Sequence, residues 1–142
     1  MVLMIDTNIL LDVLQEREPH LELSLRIWSL CDYDKSVTGY ILSASLLNIA
    51  YIMRKELTPD RIQEIYMTLV PAFKFIDLRE ADLEAAANMK WPDFEDAVMS
   101  AIAERIKADY IITRNVKDFN GSKVKAITPE EYFEDIFTFT ID

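Results

Sequence analysis

Four aspartates stand where apolar segments of the chain end. They are Asp6, Asp93, Asp96 and Asp118. In an open α/β sheet the carboxyl ends of the strands form the crevice in which ligands bind. Carboxylates gathered in such a crevice repel one another unless they share a cation. The arrangement therefore predicts a metal-dependent enzyme.

Asp6, Asp96 and Asp118 are the candidate catalytic residues and metal ligands, with Asp93 and Asn115 as supporting or alternative ligands. Carboxylate oxygens suit Mg²⁺ or Mn²⁺, which bind proteins through one or two carboxylates and complete their shell with water and substrate phosphate. Such an ion polarises a phosphoryl group and lowers the pKa of a bound water. The predicted chemistry is therefore hydrolysis at phosphorus.

Each carboxylate also has an ordinary structural explanation. Asp6 and Asp93 stand where a helix N-cap is expected, and a loop aspartate such as Asp118 often stabilises a turn. Asp93 and Asp96 lie at positions i and i+3 of one predicted helix and so share a face. Asp96 is the least needed as a cap. The joint pattern, rather than any single residue, indicates the shared cation.

The remaining composition removes competing chemistries. Gly39 and Gly121 are the only two glycines, too few for the phosphate loop of NTPases or the dinucleotide-binding fingerprint. The single histidine, His20, is expected at the surface, and the single cysteine, Cys31, is expected to be a small core or boundary residue. No set of cysteines and histidines has the spacing of a zinc site.

The charge of the chain is strongly acidic but unevenly distributed. A formal net charge of −10 argues against a protein that coats nucleic acid. Basic residues nevertheless concentrate between Arg105 and Lys125, whereas the segment after Thr128 holds acids and no base. Each run by itself is most simply a solvated face. A basic strip beside a cation site would also attract a polyanion.

Hydrophobic periodicity and capping residues predict strands that alternate with helices. Strands are expected over residues 2–5, 35–38, 74–78, 110–113 and 123–127, and Gly39 is interpreted as a turn. Helices are expected over 9–14, 21–30, 43–55, 59–71, 81–89 and 94–107, with a last one beginning after Thr128. Strands separated by helices pair in parallel. We therefore predict one domain over residues 1–142, a three-layer α/β/α sandwich around a central, mainly parallel sheet.

The segments that carry the carboxylates resemble those of the PIN-domain ribonucleases, and of the VapC-type toxins in particular. They are Met-Ile-Asp-Thr-Asn-Ile-Leu at 4–10, Asp-Phe-Glu-Asp-Ala at 93–97 and Thr-Arg-Asn-Val-Lys-Asp-Phe at 113–119. The resemblance covers nearly the whole chain. It implies a parallel α/β/α sandwich, an acid cluster that holds Mg²⁺ or Mn²⁺, and cleavage of single-stranded RNA. It also implies a homodimer bound by a small antitoxin protein.

Within that resemblance, Arg114 and Lys117 are the residues that we expect to contact the RNA backbone.

No apolar run approaches the length of about 20 residues that spans a bilayer, and the first residues lack a charged leader. We therefore expect no membrane association, a chain that folds from its first residue, and a cytoplasmic protein.

The chain departs from the PIN pattern at Asn48. The family places an acid in the helix after the second strand, but no Asp or Glu occurs between Lys35 and Lys55. An amide oxygen can ligate a metal or orient a water without bringing charge, so Asn48 is a further candidate ligand. The missing charge weakens attraction for a divalent cation and relieves repulsion among the other acids. Weak metal affinity, or the loss of a second ion, is the resulting hypothesis.

Three interpretations follow from the sequence. The first is a metal-dependent endoribonuclease that cleaves single-stranded RNA as the toxin of a toxin–antitoxin pair. The second is a catalytically weak or inactive PIN-like module that binds RNA or protein, which Asn48 and the net charge favour. The third, a phosphatase or receiver fold, fits poorly, because Asn8 stands where a phosphatase has its second aspartate. A receiver would also need paired acids before the first helix and a late lysine at a strand end.

Overall fold

The computed structural model describes residues 1–137, which form a parallel sheet covered by helices on both faces. The strands are β1 (Val2–Ile5), β2 (Thr38–Leu42), β3 (Phe73–Ile76), β4 (Tyr110–Ile112) and β5 (Ala126–Ile127). The helices are α1 (Thr7–Leu14), α2 (Leu21–Tyr33), α3 (Ser43–Ile52), α4 (Pro59–Ala72), α5 (Glu80–Met89), α6 (Phe94–Arg105) and α7 (Pro129–Glu131). A 3₁₀ helix covers Val116–Phe119, and a π-helix over Tyr132–Ile136 continues α7.

The sheet has the strand order β3-β2-β1-β4-β5, and all four pairings are parallel. The chain moves outward from the central strand β1 first to β2 and β3, and then crosses back to β4 on the other side. The order therefore reverses between β1 and β4. A crevice opens at the carboxyl ends of the two strands that flank such a switch point.

Side chains of the central strand alternate between two cores. Leu3 and Ile5 pack into a core with residues of α1, α2, α3 and α4, whereas Met4 packs on the opposite face with residues of α5 and α6. This alternation follows from the period of two in a strand. The predicted three-layer sandwich is confirmed, with the sheet buried between two helical layers.

The second strand was predicted too early in the chain, and the interpretation of Gly39 as a turn is wrong. Gly39 lies within β2, where it pairs with Leu3 on one side and Phe73 on the other. A Cβ atom at this position would stand 2.5 Å from the Cys31 Sγ of α2 and 3.0 Å from a ring carbon of Phe73. The glycine is therefore required for close packing of a helix on the sheet, not for a change of direction.

The other elements are close to their predicted positions. α4 begins at Pro59, as predicted, and the Thr58 hydroxyl before it accepts a hydrogen bond from the Arg61 N–H. α7 begins with a capping box between Thr128 and Glu131. The fifth strand is shorter than predicted, with residues 123–125 lying before it. No helix within residues 1–137 combines the length and apolarity needed to cross a bilayer.

Candidate active site

The carboxyl ends of β1 and β4 open into a cavity of about 330 Å³. All the ligand candidates from the sequence lie around this cavity, which we call the acid pocket. Its lining consists of Asp6, Thr7, Asn8, Asn48, Tyr51, Ile52, Asp93, Glu95, Asp96, Asn115 and Asp118. Elements that are far apart in sequence thus bring five carboxylates and three side-chain amides to one place, the switch point of the sheet.

Asp6 lies at the end of β1 and at the N-cap position of α1, and it lines the acid pocket. The Thr113 hydroxyl donates to Asp6 Oδ2 at 2.7 Å, and Asp6 is only 7% exposed. Burial raises the pKa of Asp6, whereas the Thr113 hydrogen bond, the backbone N–H groups of Thr7 and Asn8 and the positive charge of Arg114 oppose the shift. The carboxylate is therefore held in one orientation at the base of the pocket.

Thr113 is a site residue that the sequence interpretation did not identify. It is fully buried after β4, and its hydroxyl oxygen also accepts a hydrogen bond from the Asn115 N–H at 3.0 Å. One side chain thus ties Asp6 to the loop that carries Asn115. A threonine at the end of the strand predicted over 110–113 was the available signal, but only the pairing of β1 with β4 shows its partner.

Asp93 and Asp96 form the first turn of α6, as predicted. Asp93 Oδ1 accepts a hydrogen bond from the Asp96 N–H at 3.1 Å, so Asp93 is the N-cap. Asp96 is half-buried. Its pKa is raised to about 7, first by burial and then by the negative charges of Asp93, Asp6, Asp118 and Glu95. Repulsion among the pocket carboxylates therefore affects the pKa of Asp96 most strongly.

Asp118 lies on the 3₁₀ helix that follows β4 and is exposed at the rim of the pocket. Its backbone N–H donates to the Asn115 carbonyl at 3.0 Å, which is the turn expected for this position. The turn is made by backbone atoms, so the Asp118 carboxylate is not needed for it. Both residues thus reach the pocket from one short segment.

Glu95 is the second site residue that the sequence interpretation missed. Its Oε1 accepts a hydrogen bond from Asn48 Nδ2 at 2.6 Å, which links α6 to α3. Burial raises the pKa of Glu95, and the charges of Asp93 and Asp6 add to the shift. The signal available in the sequence was the position of Glu95 between Asp93 and Asp96, in the first turn of a predicted helix. The contact with Asn48, however, depends on how the two helices pack.

Arg114 does not line the acid pocket but is bound to Asp12. Its Nε and Nη2 donate to Asp12 Oδ2 and Oδ1 at 2.7 and 3.1 Å, and the Ser24 hydroxyl also donates to Asp12 Oδ2 at 2.9 Å. Asp12 is fully buried, so it requires this partner. Lys117 is exposed and lies outside the acid pocket. Contact of either residue with RNA stays a prediction.

The ligands of the acid pocket suit a partly hydrated metal ion better than an ion that is fully enclosed by protein side chains. Within residues 1–137, no three Asp, Glu, His or Cys side chains converge closely enough to hold a metal by themselves. Mg²⁺ and Mn²⁺ do not require such a cage, because they retain several waters and use one or two carboxylates. The pocket offers oxygen ligands, and burial and nearby negative charges raise the pKa of Asp96. Both features fit a divalent cation of this kind.

The strand order and the acid pocket define a parallel α/β protein with a carboxylate site at its switch point. A family profile described as PIN domain matches residues 2–117. The chain therefore belongs to the PIN-domain family.

Solved structures from three bacteria share the fold. VapBC2 from Rickettsia felis bound to a promoter DNA fragment is 17% identical, with a TM-score of 0.69 and coverage of 90% of this chain and 98% of that one. A toxin–antitoxin complex from Klebsiella pneumoniae is 23% identical, with a TM-score of 0.67 and coverage of 89% and 96%. FitAcB from Neisseria gonorrhoeae is 17% identical, with a TM-score of 0.66 and coverage of 92% and 99%. A comparison with curated proteins gave no match.

Proposed function

We propose that this protein is a metal-dependent endoribonuclease that cleaves single-stranded RNA and acts as the toxin of a toxin–antitoxin pair. The observation that carries the proposal is the acid pocket, in which five carboxylates line one cavity at the switch point of a PIN-domain sheet. Burial and the negative charges of its neighbours raise the pKa of Asp96, and a bound cation would relieve that repulsion.

Asp6, Asp96 and Asp118 are the residues that would hold Mg²⁺ or Mn²⁺, with Asp93, Asn115 and Asn48 at the periphery of the site. When bound, an ion of this type would polarise the phosphoryl group of the substrate and lower the pKa of a bound water. Residues of the chain hold the ligands in position for it. Thr113 fixes the orientation of Asp6, and the Asp93 cap fixes the first turn of α6 and therefore the position of Asp96. Asn48 holds Glu95 as an additional carboxylate at the rim.

Several features favour single-stranded RNA and a protein partner. The lining of the pocket is mainly polar, which suits a metal-bound phosphodiester better than an apolar metabolite. The similar structure from Klebsiella pneumoniae is a toxin–antitoxin complex, which supports an antitoxin partner. Large apolar side chains on α3 and α4 are exposed, including Leu47 at 74% and Met67 at 60%. Exposed apolar groups of this size favour a surface that a partner buries, either a second copy of the chain or an antitoxin.

The test is cleavage of a labelled single-stranded RNA with Mg²⁺ or Mn²⁺, compared with EDTA. We expect Asp6→Asn and Asp96→Asn each to reduce the rate by more than about 100-fold, since loss of a mere supporting group at a metal site already costs about 10- to 100-fold. Asp32→Asn, an exposed aspartate on α2 outside the pocket, is the matched control and should retain the wild-type rate. Cleavage that is insensitive to EDTA or to both pocket substitutions would contradict the proposal.

The second candidate is a PIN module that binds RNA or a protein partner without cleaving. Asn48 favours it, because the pocket carries an amide where the family places an acid. Tight binding of RNA or of a co-expressed partner, together with no cleavage at saturating Mn²⁺, would support this alternative over the nuclease.

A further inference from the structure

A second concave surface adjoins the acid pocket and is basic. It is a cavity of about 710 Å³ along the segment from Val116 to Ala126. We call it the lysine groove. Its polar lining consists of Lys117, Asn120, Ser122, Lys123 and Lys125. No acidic side chain lines it, although the net charge of the chain is −10.

The charges of the groove are available to a ligand, whereas the nearby arginines are not. Arg105 and Arg114 are paired with the buried carboxylates of Asp82 and Asp12. Lys123 has one exposed contact with Glu104 at 3.4 Å, a type of pair that contributes little. Among residues 1–137, neither Lys117 nor Lys125 has a carboxylate within 4.0 Å. The local positive charge is therefore not used by the fold.

The groove and the acid pocket share a wall. Lys117 and Asp118 are consecutive on the 3₁₀ helix, yet the first lines the groove and the second lines the acid pocket. From there the groove runs to Lys125, whose carbonyl accepts a hydrogen bond from the Ile111 N–H at 2.9 Å beside the edge strand β5. Lys117, Lys123 and Lys125 thus line one concave surface that begins beside Asp118 and reaches the edge strand β5.

From this geometry we propose that the lysine groove binds the phosphodiester backbone of single-stranded RNA next to the bond that is cleaved. The inference rests on the proposed function. An acid pocket with five carboxylates repels an approaching polyanion, so the binding energy has to come from positive charge nearby. Three lysines on one concave surface that begins at the wall of the pocket fit a chain of phosphates better than one isolated anion.

The test is fluorescence anisotropy with labelled single-stranded RNA in EDTA, so that binding is measured without metal or cleavage. The variant replaces Lys117, Lys123 and Lys125 together with glutamine. Each phosphate contact contributes a slope of about −0.7 to the dependence of log K on log salt for single strands. We therefore expect the slope to become shallower by about 2 between roughly 50 and 200 mM salt. Replacing the same lysines with arginine should preserve the wild-type slope and shows that the segment tolerates substitution.

The matched control replaces three exposed lysines elsewhere, Lys35, Lys74 and Lys107, with glutamine and changes the net charge equally. Equal slopes for the groove variant and this control would overturn the proposal, as would a wild-type protein that does not bind the RNA at low salt. Preferential, lysine-dependent binding of poly-glutamate over RNA would also overturn it and would indicate an acidic protein segment. If only the nuclease proposal is wrong, the wild type shows the lysine-dependent salt slope but does not cleave RNA with Mn²⁺. This result is distinguishable from failure of the groove proposal.

Discussion

Asn48 Nδ2 donates a hydrogen bond to Glu95 Oε1 across 2.6 Å and so joins α3 to the first turn of α6 at the rim of the acid pocket. The resemblance to the PIN family led us to expect an acid at the position of Asn48. In this chain an amide stands there and holds a carboxylate from another helix. The negative charge is thus not absent from this part of the pocket but is carried by Glu95.

This contact changes what Asn48→Asp should do. The substitution sets two carboxylates against each other, so we expect the metal-free protein to lose about 1 kcal/mol and melt a few degrees lower. Mn²⁺ should then raise the melting temperature more than it does in the wild type, because the cation neutralises both groups. Thermal melting with and without MnCl₂ measures both effects.

The combination of Asn48→Asp with Glu95→Gln is the matched control. It exchanges donor and acceptor across the same contact and keeps the wild-type charge. Its metal-free melting temperature should return to the wild-type value, and its extra response to Mn²⁺ should disappear. If Asn48→Asp alone melts like the wild type in both conditions, the contact has no energetic significance.

Asp12→Asn should destabilise the fold strongly. It leaves the Arg114 guanidinium against an amide in a buried position. Losing one partner of a fully buried pair costs about 3–5 kcal/mol. The Arg114 side chain is 24% exposed, so we expect about 2–3 kcal/mol after allowing for solvent screening. Urea unfolding measures the change. Glu22→Gln removes the exposed Arg26–Glu22 pair and should cost less than about 0.5 kcal/mol. Equal effects would contradict a structural role for Asp12.

Gly39→Ala should destabilise the protein by about 1–3 kcal/mol, the usual cost of overpacking a core. The new methyl group would stand 2.5 Å from Cys31 Sγ, and β2 and α2 would have to separate. Cys31→Ala in the same chain removes the sulfur and should recover part of the loss, since the Cys31 Cβ remains at 3.1 Å. Purely additive effects of the two substitutions in urea unfolding would argue against this contact as the cause.

The buried thiol of Cys31 should make the fold sensitive to alkaline pH. Burial, with a smaller contribution from Asp32, raises the pKa of Cys31 from 9.0 to about 12. Below pH 9.0 the folded and unfolded chains both keep the proton. Between pH 9.0 and about 12 only the unfolded chain releases it, so the free energy of unfolding falls as pH rises.

Comparison with Cys31→Ala tests this contribution. The variant has a constant packing difference from the wild type at every pH, and it keeps Tyr132, whose pKa is also raised to about 12. Its free energy of unfolding should therefore decline less steeply above pH 9.0. Parallel pH profiles for the two proteins would show that the thiol does not titrate differently on unfolding.

The sequence by itself determined the order of strands and helices and the edge of the sheet at which Asp6, Asp96 and Asp118 line one cavity. Hydrophobic period, helix caps and prolines act over a few residues, and parallel pairing brings the carboxyl ends of the strands to one edge. Gly39 shows the limit of local signals, because a glycine that avoids a steric contact looks the same in sequence as one that makes a turn.

Only the tertiary structure decided which side chains are partners. Asn48 and Glu95 are 47 positions apart, and Asp12 and Arg114 are 102 positions apart. Such contacts depend on the packing of whole helices and on the register of β1 with β4, which no local pattern encodes. For that reason Arg114, which looked free to bind phosphate, is paired with a buried aspartate. For the same reason Glu95, flanked by two predicted ligands, could be assigned to the pocket only in the folded chain.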